Sequence, residues 1–145
     1  MRKILLIAAL FLTTTLMADG IHWAKDYNSG IEKAKKENKP VMFIISSHSC
    51  KYCILLDNTT FQDPKVVKSI NKDFVAIRSW TDQRDYIPAV LAQNTPGLPG
   101  IWFLEPNGDP MYQPLLGYVK APNFLGALAT VKTAFDKSKQ EVVKK

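Results

Sequence analysis

The only two cysteines of the chain, Cys50 and Cys53, lie three positions apart in the stretch SSHSCKYCILL, which runs from Ser46 to Leu56. Two thiols at this spacing could form a structural disulfide, bind a metal ion or act as a redox dithiol. A disulfide that closes so short a loop removes little chain entropy and would stabilise the fold only weakly. A structural zinc site normally needs four ligands, and the sequence supplies no second pair of cysteines. Redox chemistry is therefore the interpretation that we favour.

The residues on either side of the pair support redox chemistry. The continuous apolar run Val41–Ile45 precedes the cysteines and predicts a strand that is buried on both faces. A helix is expected to begin near Cys50, and the unpaired N–H groups and dipole of a helix N-terminus favour negative charge. Because only the thiolate attacks a disulfide, we expect Cys50 to be the attacking thiol. Cys53, nearly one helical turn further on and more buried, would resolve the mixed disulfide that Cys50 forms with a partner.

Two alternatives stay open around this pair. His48 lies two residues before Cys50. As a cation it would favour the Cys50 thiolate and stabilise the reduced pair, whereas a neutral imidazole in an exposed loop would have no such effect. Soft Cu(I) binds to two thiolates, so a copper-binding chaperone that uses Cys50 and Cys53 is the alternative function. The redox interpretation itself predicts no metal.

Strand and helix signals alternate along the rest of the chain. Three apolar runs predict the central strands of a sheet: Val41–Ile45, Phe74–Ile77 and Gly100–Glu105. The first helix is expected in DYNSGIEKAKKENKP, with Asn28 or Ser29 as its cap, and another begins where Asp63 precedes Pro64. This order of elements argues for an α/β domain with a mixed sheet.

The C-terminal half predicts a further helix, a hairpin and a last helix. DYIPAVLAQN is expected to be helical, with Pro88 in its first turn. PNGD forms a turn in which Gly108 takes a positive φ, and MYQPLLGY follows as an edge strand, where Pro114 is tolerated. The last helix carries an apolar stripe formed by Phe124, Leu128, Val131 and Phe135.

With these motifs in place, the chain resembles the thioredoxin superfamily. It is most similar to the thioredoxin-like C-terminal domain of periplasmic thiol:disulfide interchange (DsbD-type) proteins. The resemblance covers roughly Lys39 to Leu128, and the matching pieces follow the family's order: KPVMFII, CKYC, TFQDPKV, GLP, IWFLEPNGD and GY. It implies a thioredoxin-like fold, in which a central mixed β-sheet is flanked by helices.

The resemblance also implies roles for residues outside the dithiol. A single X-Pro bond is trans by default, but Pro99 stands where the family has a cis-proline opposite the cysteines. The backbone just before that proline pairs with an extended partner peptide in the family, which implicates Leu98, and main-chain pairing of this kind makes little sequence demand. The expected partners are therefore protein thiols and disulfides, together with a membrane or periplasmic electron donor. Similarity to an electron-relaying domain favours the reductase direction.

Five positions depart from the family's pattern. Ser49 replaces the usual Trp before the first cysteine, and Lys51-Tyr52 replaces the Gly-Pro of thioredoxins. Ile44 stands where thioredoxins bury an Asp, and Gly100 replaces the Thr that follows the cis-proline. These departures weaken the case for a general thioredoxin, and they leave the proton acceptor for the second thiol without a candidate.

The first residues, MRKILLIAALFLTTTLMADG, have the layout of an export signal. A basic start is followed by an apolar run from Ile4 to Leu12 and by the small residue Ala18. The run is shorter than the about 20 apolar residues that a membrane helix needs. We predict a signal peptide over residues 1–18, cleaved after Ala18, and a thioredoxin-like domain over residues 19–145. The protein would then be periplasmic or secreted, where disulfides form and persist.

Charge and composition indicate few other functions. The net charge is +6, and removal of Arg2 and Lys3 with the signal peptide would leave about +4. The remaining lysines are spread over the chain and form no basic stripe with interleaved aromatics, so we expect no nucleic-acid partner. The three tryptophans are expected to pack in or around the core, and no organic cofactor is implied, because a dithiol itself carries two electrons.

Overall fold

A computed structural model describes residues 19–144, so the predicted signal peptide, residues 1–18, lies outside the described residues. Within the described residues, four strands form a central sheet in the order β2-β1-β3-β4. The strands are β1 (Val41–Ser46), β2 (Val75–Trp80), β3 (Gly100–Leu104) and β4 (Leu115–Leu116). β1 is parallel to β2 and antiparallel to β3, which in turn is antiparallel to β4. The predicted mixed sheet is thereby confirmed.

Helices cover both faces of this sheet. They are α1 (Tyr27–Glu37), α2 (Lys51–Asn58), α3 (Pro64–Asp73), α4 (Ala89–Gln93) and α5 (Ala121–Val143), with 3₁₀ turns at Thr60–Gln62 and Thr81–Gln83. On one face, Met42 and Ile44 of β1 pack with α2, α3 and α5. On the other, the alternate residues of β1 pack with α1 and α4. Since every residue of β1 is buried, the fold is the α/β arrangement that the apolar run predicts.

Local signals place the beginnings of two helices. Asp63 caps α3 by accepting the N–H groups of Lys65 and Val66, and Pro64 is the first helical residue, as the sequence predicts. The cap of α1 is Asp26 rather than Asn28 or Ser29, so that expectation is wrong. Ser29 takes part from the third helical position, where its side chain bonds back to the Asp26 N–H and completes a capping box.

Other boundaries differ from the sequence expectation because pairing with neighbouring strands decides them. β2 runs three residues past Ile77, since Arg78, Ser79 and Trp80 pair with the end of β1. β4 is only two residues long and begins directly after Pro114, which has no N–H to donate to a ladder. α4 begins at Ala89, so Pro88 lies at the N-cap position and not in the first turn of the helix.

The C-terminal turn and helix follow the sequence prediction. Gly108 has a φ of 95°, which a residue with a Cβ adopts only at a cost. The predicted apolar stripe of α5 is buried in full. Within residues 19–144, no helix has the length and apolar character needed to cross a membrane.

Candidate active site

Cys50 lies at the N-cap of α2, the position that the sequence indicates for an attacking thiol. Its backbone is extended, and its Sγ accepts a hydrogen bond from the Cys53 N–H at 3.3 Å. The Cys50 side chain is partly exposed and its thiol is not in a disulfide. A helix N-terminus with an N–H group directed at a sulfur stabilises negative charge on that sulfur. The geometry therefore suits a nucleophilic thiolate at Cys50.

Cys53 lies one turn into α2 and differs from Cys50 in its surroundings. It is only 1% exposed. Burial raises the pKa of the Cys53 thiol and the contact with Cys50 raises it further, whereas the Ser46 hydroxyl and the Ser47 N–H act in the opposite direction. The pair is thus asymmetric, because Cys50 is partly exposed whereas Cys53 is buried and its thiol has a raised pKa.

The loop between β1 and α2 is shaped by its serines. The Cys50 N–H donates to the Ser47 carbonyl at 3.2 Å, and the Ser49 N–H donates to Ser47 Oγ at 3.3 Å. The hydroxyls of Ser47 and Ser49 are also within hydrogen-bond distance, at 3.1 Å. These short-range bonds fold the loop into a turn that delivers Cys50 to the start of the helix.

His48 contacts the segment after β2. Its backbone N–H and its Nδ1 are 3.2 Å and 2.9 Å from the same carboxylate oxygen of Asp82. The imidazole also stacks on Trp80, with ring centroids 3.7 Å apart and planes 17° apart. Although partial desolvation acts to raise the pKa of Asp82, the hydrogen bonds with His48 hold it below its usual value. The influence of His48 on Cys50 stays a prediction, and sequence reasoning missed both of its partners.

The Leu98–Pro99 bond is cis, the isomer that the family resemblance implies. Pro99 is buried, and its neighbour Gly100 pairs with Ile45 at the end of β1 from which the cysteine loop departs. The sheet register therefore brings Pro99 and the dithiol to the same end of the two central strands. The Pro99 carbonyl accepts the Gly117 N–H at 2.8 Å, whereas the backbone of Leu98 has no hydrogen-bond partner within residues 19–144.

The structure explains why a glycine follows this proline. A Cβ placed on Gly100 would lie 2.2 Å from Cγ2 of Thr95. Thr95 cannot easily turn away, because its hydroxyl donates to the Leu91 carbonyl at 2.7 Å and accepts from Trp102 Nε1 at 2.9 Å. The methyl group of Thr95 thus occupies the space of the side chain that position 100 lacks.

A charged pair that the sequence did not reveal connects α2 to β2. Arg78 forms two hydrogen bonds with the carboxylate of Asp57, at 2.6 Å and 3.2 Å. Its guanidinium carbon lies 4.1 Å from the ring centroid of Trp23 and 4.8 Å from that of Trp80. No local signal could have identified the pair, because its members lie 21 residues apart and meet only after the helix has packed on the sheet.

The surroundings of the thiols offer few further metal ligands. In the part of the chain that the structure describes, no three His, Cys, Asp or Glu side chains come together in a group that could hold a metal ion. His48, the nearest histidine in sequence, directs Nδ1 at Asp82. A Cu(I) ion would therefore rely on the two sulfurs of Cys50 and Cys53.

Comparison with known proteins identifies the family. Residues 7–145 match the model of a family described as Thioredox_DsbH, protein of unknown function, DUF255. Because the match covers nearly the whole sequence, the chain belongs to this family, which is thioredoxin-like and disulfide-oxidoreductase-like.

Curated relatives match the chain over shorter stretches. It is 26% identical over 96 residues to spermatogenesis-associated protein 20 of Homo sapiens. The aligned stretch covers 62% of this chain and 12% of that protein. It is 34% identical over 81 residues to anterior gradient protein 2 of Xenopus laevis. Here the aligned stretch covers 50% of this chain and 44% of that protein. The chain thus spans less than half of the length of either relative.

Solved structures share the fold over most of the chain. A DsbH oxidoreductase aligns with a TM-score of 0.67 at 16% identity, covering 86% of this chain and 92% of that one. A thioredoxin from Thermus thermophilus aligns with a TM-score of 0.65 at 25% identity, covering 78% and 88%. The oxidised C-terminal domain of DsbD from Neisseria meningitidis aligns with a TM-score of 0.55 at 24% identity, covering 71% and 90%. The predicted thioredoxin-like fold is confirmed.

Proposed function

We propose that the protein is an exported thiol:disulfide oxidoreductase in which Cys50 attacks and Cys53 resolves. The observation that carries this proposal is the asymmetry of the pair. Cys50 is partly exposed and its Sγ accepts an N–H from the start of α2, while Cys53 is buried with a raised pKa. Such an arrangement keeps one nucleophile ready and protects the second thiol until a partner is bound.

The proposed reduction proceeds in two exchange steps. The Cys50 thiolate attacks a partner disulfide, so that a Cys50–partner S–S bond forms and the other partner sulfur leaves and takes a proton. Cys53 then attacks Cys50 Sγ, which releases the second partner sulfur as a thiol and leaves the Cys50–Cys53 disulfide. The partner gains two electrons and two protons, and a reduced dithiol donor restores the enzyme by the reverse exchange. No bound organic cofactor is part of this proposal.

Partner binding is proposed at the edge where the two motifs meet. Leu98 has an unpaired backbone next to the buried Pro99, and an extended peptide could pair with it by strand addition. Tyr52 and Leu116 are exposed by 53% and 46% of their surfaces. Tyr52 lies between the cysteines, and Leu116 pairs with Gly100. Apolar side chains at these places suit extended protein segments, and the proposed partners are protein thiols and disulfides.

The reductase direction is supported by the surroundings of His48. A lone imidazolium beside Cys50 would stabilise the thiolate and make the pair more oxidising. Here the ring is paired with the Asp82 carboxylate, so any positive charge on it is compensated. A reduction potential of about −270 mV, measured in glutathione or dithiothreitol buffers, would agree with a reductase, whereas a potential of about −120 mV would indicate an oxidant.

Location and electron supply complete the proposal. We propose that residues 1–18 act as a signal peptide, that the mature chain begins at Asp19, and that it works in the periplasm or outside the cell. A membrane or periplasmic dithiol protein would supply the electrons. N-terminal sequencing of the protein recovered from a secretory host checks the cleavage site, and recovery of the intact N-terminus would contradict it.

Insulin reduction tests the function directly. We expect the mature protein to reduce insulin with dithiothreitol as electron source, the Cys50→Ser variant to lose this activity, and the Cys53→Ser variant to accumulate mixed disulfides through Cys50. Ser69→Ala, a change on helix α3 and outside the dithiol motif, serves as the control. Stoichiometric Cu(I) retained through purification, together with no disulfide exchange by the metal-free protein, would instead identify the copper-binding chaperone.

A further inference from the structure

The resolving step needs a polar partner for a buried sulfur. Cys53 is 1% exposed and must become a thiolate before it can attack Cys50. In thioredoxins, the strand before the dithiol buries an Asp that helps with this proton. Here that position holds Ile44, which packs in the apolar cluster between the sheet and α2 and has no group to offer.

The same face of β1 brings a different residue to the sulfur. Side chains two positions apart along a strand share a face, so Ser46 continues the row formed by Met42 and Ile44. On α2, Cys53 lies one turn before Leu56, and Leu56 packs in the cluster that contains Ile44. Ser46 and Cys53 are therefore the next layer of that interface, towards the active-site edge.

The Ser46 hydroxyl is not engaged by another group among the described residues. Ser46 is 1% exposed, and its Oγ has no hydrogen-bond partner of ordinary geometry among the described residues. Its backbone is fixed, because it pairs with Trp80 in β2 and its carbonyl accepts the Thr81 hydroxyl at 3.2 Å. A buried polar atom that lacks a partner calls for an explanation, and a hydroxyl can rotate towards a group that becomes charged.

We propose that Ser46 donates a hydrogen bond to Cys53 Sγ when that sulfur becomes a thiolate, and so promotes the resolving step. The influences of neighbouring groups on the pKa of Cys53 support this role. Burial and contact with Cys50 raise it, whereas the Ser46 hydroxyl and the Ser47 N–H lower it. Cys50 is the only titratable side chain among the main influences on this pKa. Asp57, one turn further along α2, is held by Arg78.

This role rests on the proposed function and adds no co-reactant to it. In the mixed disulfide, Cys53 loses its proton and its sulfur bonds to Cys50 Sγ. The Cys50–partner S–S bond breaks, and the departing partner sulfur takes up one proton. Ser46 keeps its own proton throughout and serves only as a hydrogen-bond donor to the charge on Cys53.

Reaction of the reduced protein with Ellman's reagent separates the two steps. Attack by Cys50 releases the first thionitrobenzoate, and resolution by Cys53 releases the second. At neutral pH we expect Ser46→Ala to leave the first phase unchanged and to slow the second about threefold to tenfold. The effect is moderate because fewer sulfurs are ionised but each thiolate is a better nucleophile. The slowing should vanish at alkaline pH, where Cys53 is ionised in both proteins.

Ser79→Ala is the matched control. Ser79 is also 1% exposed and lies on the neighbouring strand, but its hydroxyl bonds to the Tyr86 carbonyl. We expect this variant to keep the wild-type second phase. A second phase in Ser46→Ala that equals the wild type, or that is slowed equally at every pH, would overturn the proposal.

A titration that needs no exchange activity provides an independent readout. In the Cys50→Ser background, Cys53 is the only thiol, and its ionisation is followed by thiolate absorbance in the ultraviolet. Adding Ser46→Ala should move the midpoint to higher pH, whereas an unchanged midpoint would contradict the role of Ser46. If the wild-type protein fails to reduce insulin while this midpoint still moves, the proposed function fails and the Ser46–Cys53 interaction stands.

Discussion

Gly100 and Thr95 share one small space beside the cis-proline. A methyl group at position 100 would overlap Cγ2 of Thr95, whose hydroxyl is held on both sides. The departure from the family's Thr at this position is thus compensated by a side chain five residues earlier in the sequence. Pairs of this kind become apparent only in the folded structure, because no local signal links Thr95 to the glycine at position 100.

We therefore expect Gly100→Ala to lower the free energy of unfolding by about 1–3 kcal/mol, the usual cost of overpacking. Thr95→Ser removes the methyl group but keeps the hydroxyl, so the double variant should recover most of this loss. Urea denaturation of both single variants and the double variant measures the coupling. Gly97→Ala is the control, because nothing lies within 4 Å of a Cβ at that position. Simple additivity of the two changes would contradict the shared space.

The raised pKa of Cys53 makes the stability of the reduced protein depend on pH. Burial raises the pKa above the ordinary value of 9.0, so the folded state keeps this proton at a pH where the unfolded chain has lost it. The free energy of unfolding should be constant with respect to this group below about pH 9 and fall above it, until the folded thiol also ionises. Denaturation of wild type and Cys53→Ala between neutral and alkaline pH checks this, and equal slopes would contradict it.

The elements show which features the sequence could predict. β1, the start of α3 and the apolar stripe of α5 depend on neighbours along the chain, and their predictions are confirmed. The end of β2 depends on pairing with β1, and the two-residue β4 on its pairing with β3, so these boundaries were wrong. The cysteine positions in α2 followed from local signals, but Ser46, Asp82 and Thr95 reach the site from other elements and were missed.

The cap of α3 provides a test at this scale. Asp63 Oδ1 accepts two N–H groups, from Lys65 at 2.9 Å and Val66 at 3.1 Å. Asp63→Ala should lower the free energy of unfolding by about 0.5–2 kcal/mol, whereas Asp63→Asn, which keeps an acceptor, should cost little. Chemical denaturation measures both. An alanine variant as stable as the asparagine variant would show that water replaces the cap without loss.

At the scale of the whole molecule, Arg78 joins three parts of the chain. It bonds to Asp57 of α2, belongs to β2, and stacks on Trp23 of the N-terminal segment. The guanidinium is well covered, with 13% of the side chain exposed. A planar, bidentate cation suits this place better than an ammonium group, because it satisfies the carboxylate and lies against aromatic faces at once.

Arg78→Lys should therefore destabilise the protein although the charge is kept. We expect a loss of about 1–3 kcal/mol, since the second hydrogen bond and the ring stacking disappear while the cation stays buried. Arg84→Lys, at an exposed arginine on the surface, should change the free energy of unfolding by less than about 0.5 kcal/mol. Urea denaturation compares the two, and similar small effects would show that Arg78 acts only through its charge.

The N-terminal segment also closes the rim of the sheet. β2 is the outermost strand on its side, and Trp23 bridges to Ala76 there while the Ala24 N–H donates to the Ala76 carbonyl at 2.8 Å. The unpaired N–H and C=O groups of an edge strand can pair with a strand from another chain. Proteolytic removal of the residues from Asp19 to Ala24 would therefore expose the backbone of β2 and promote aggregation, although both cysteines would stay intact.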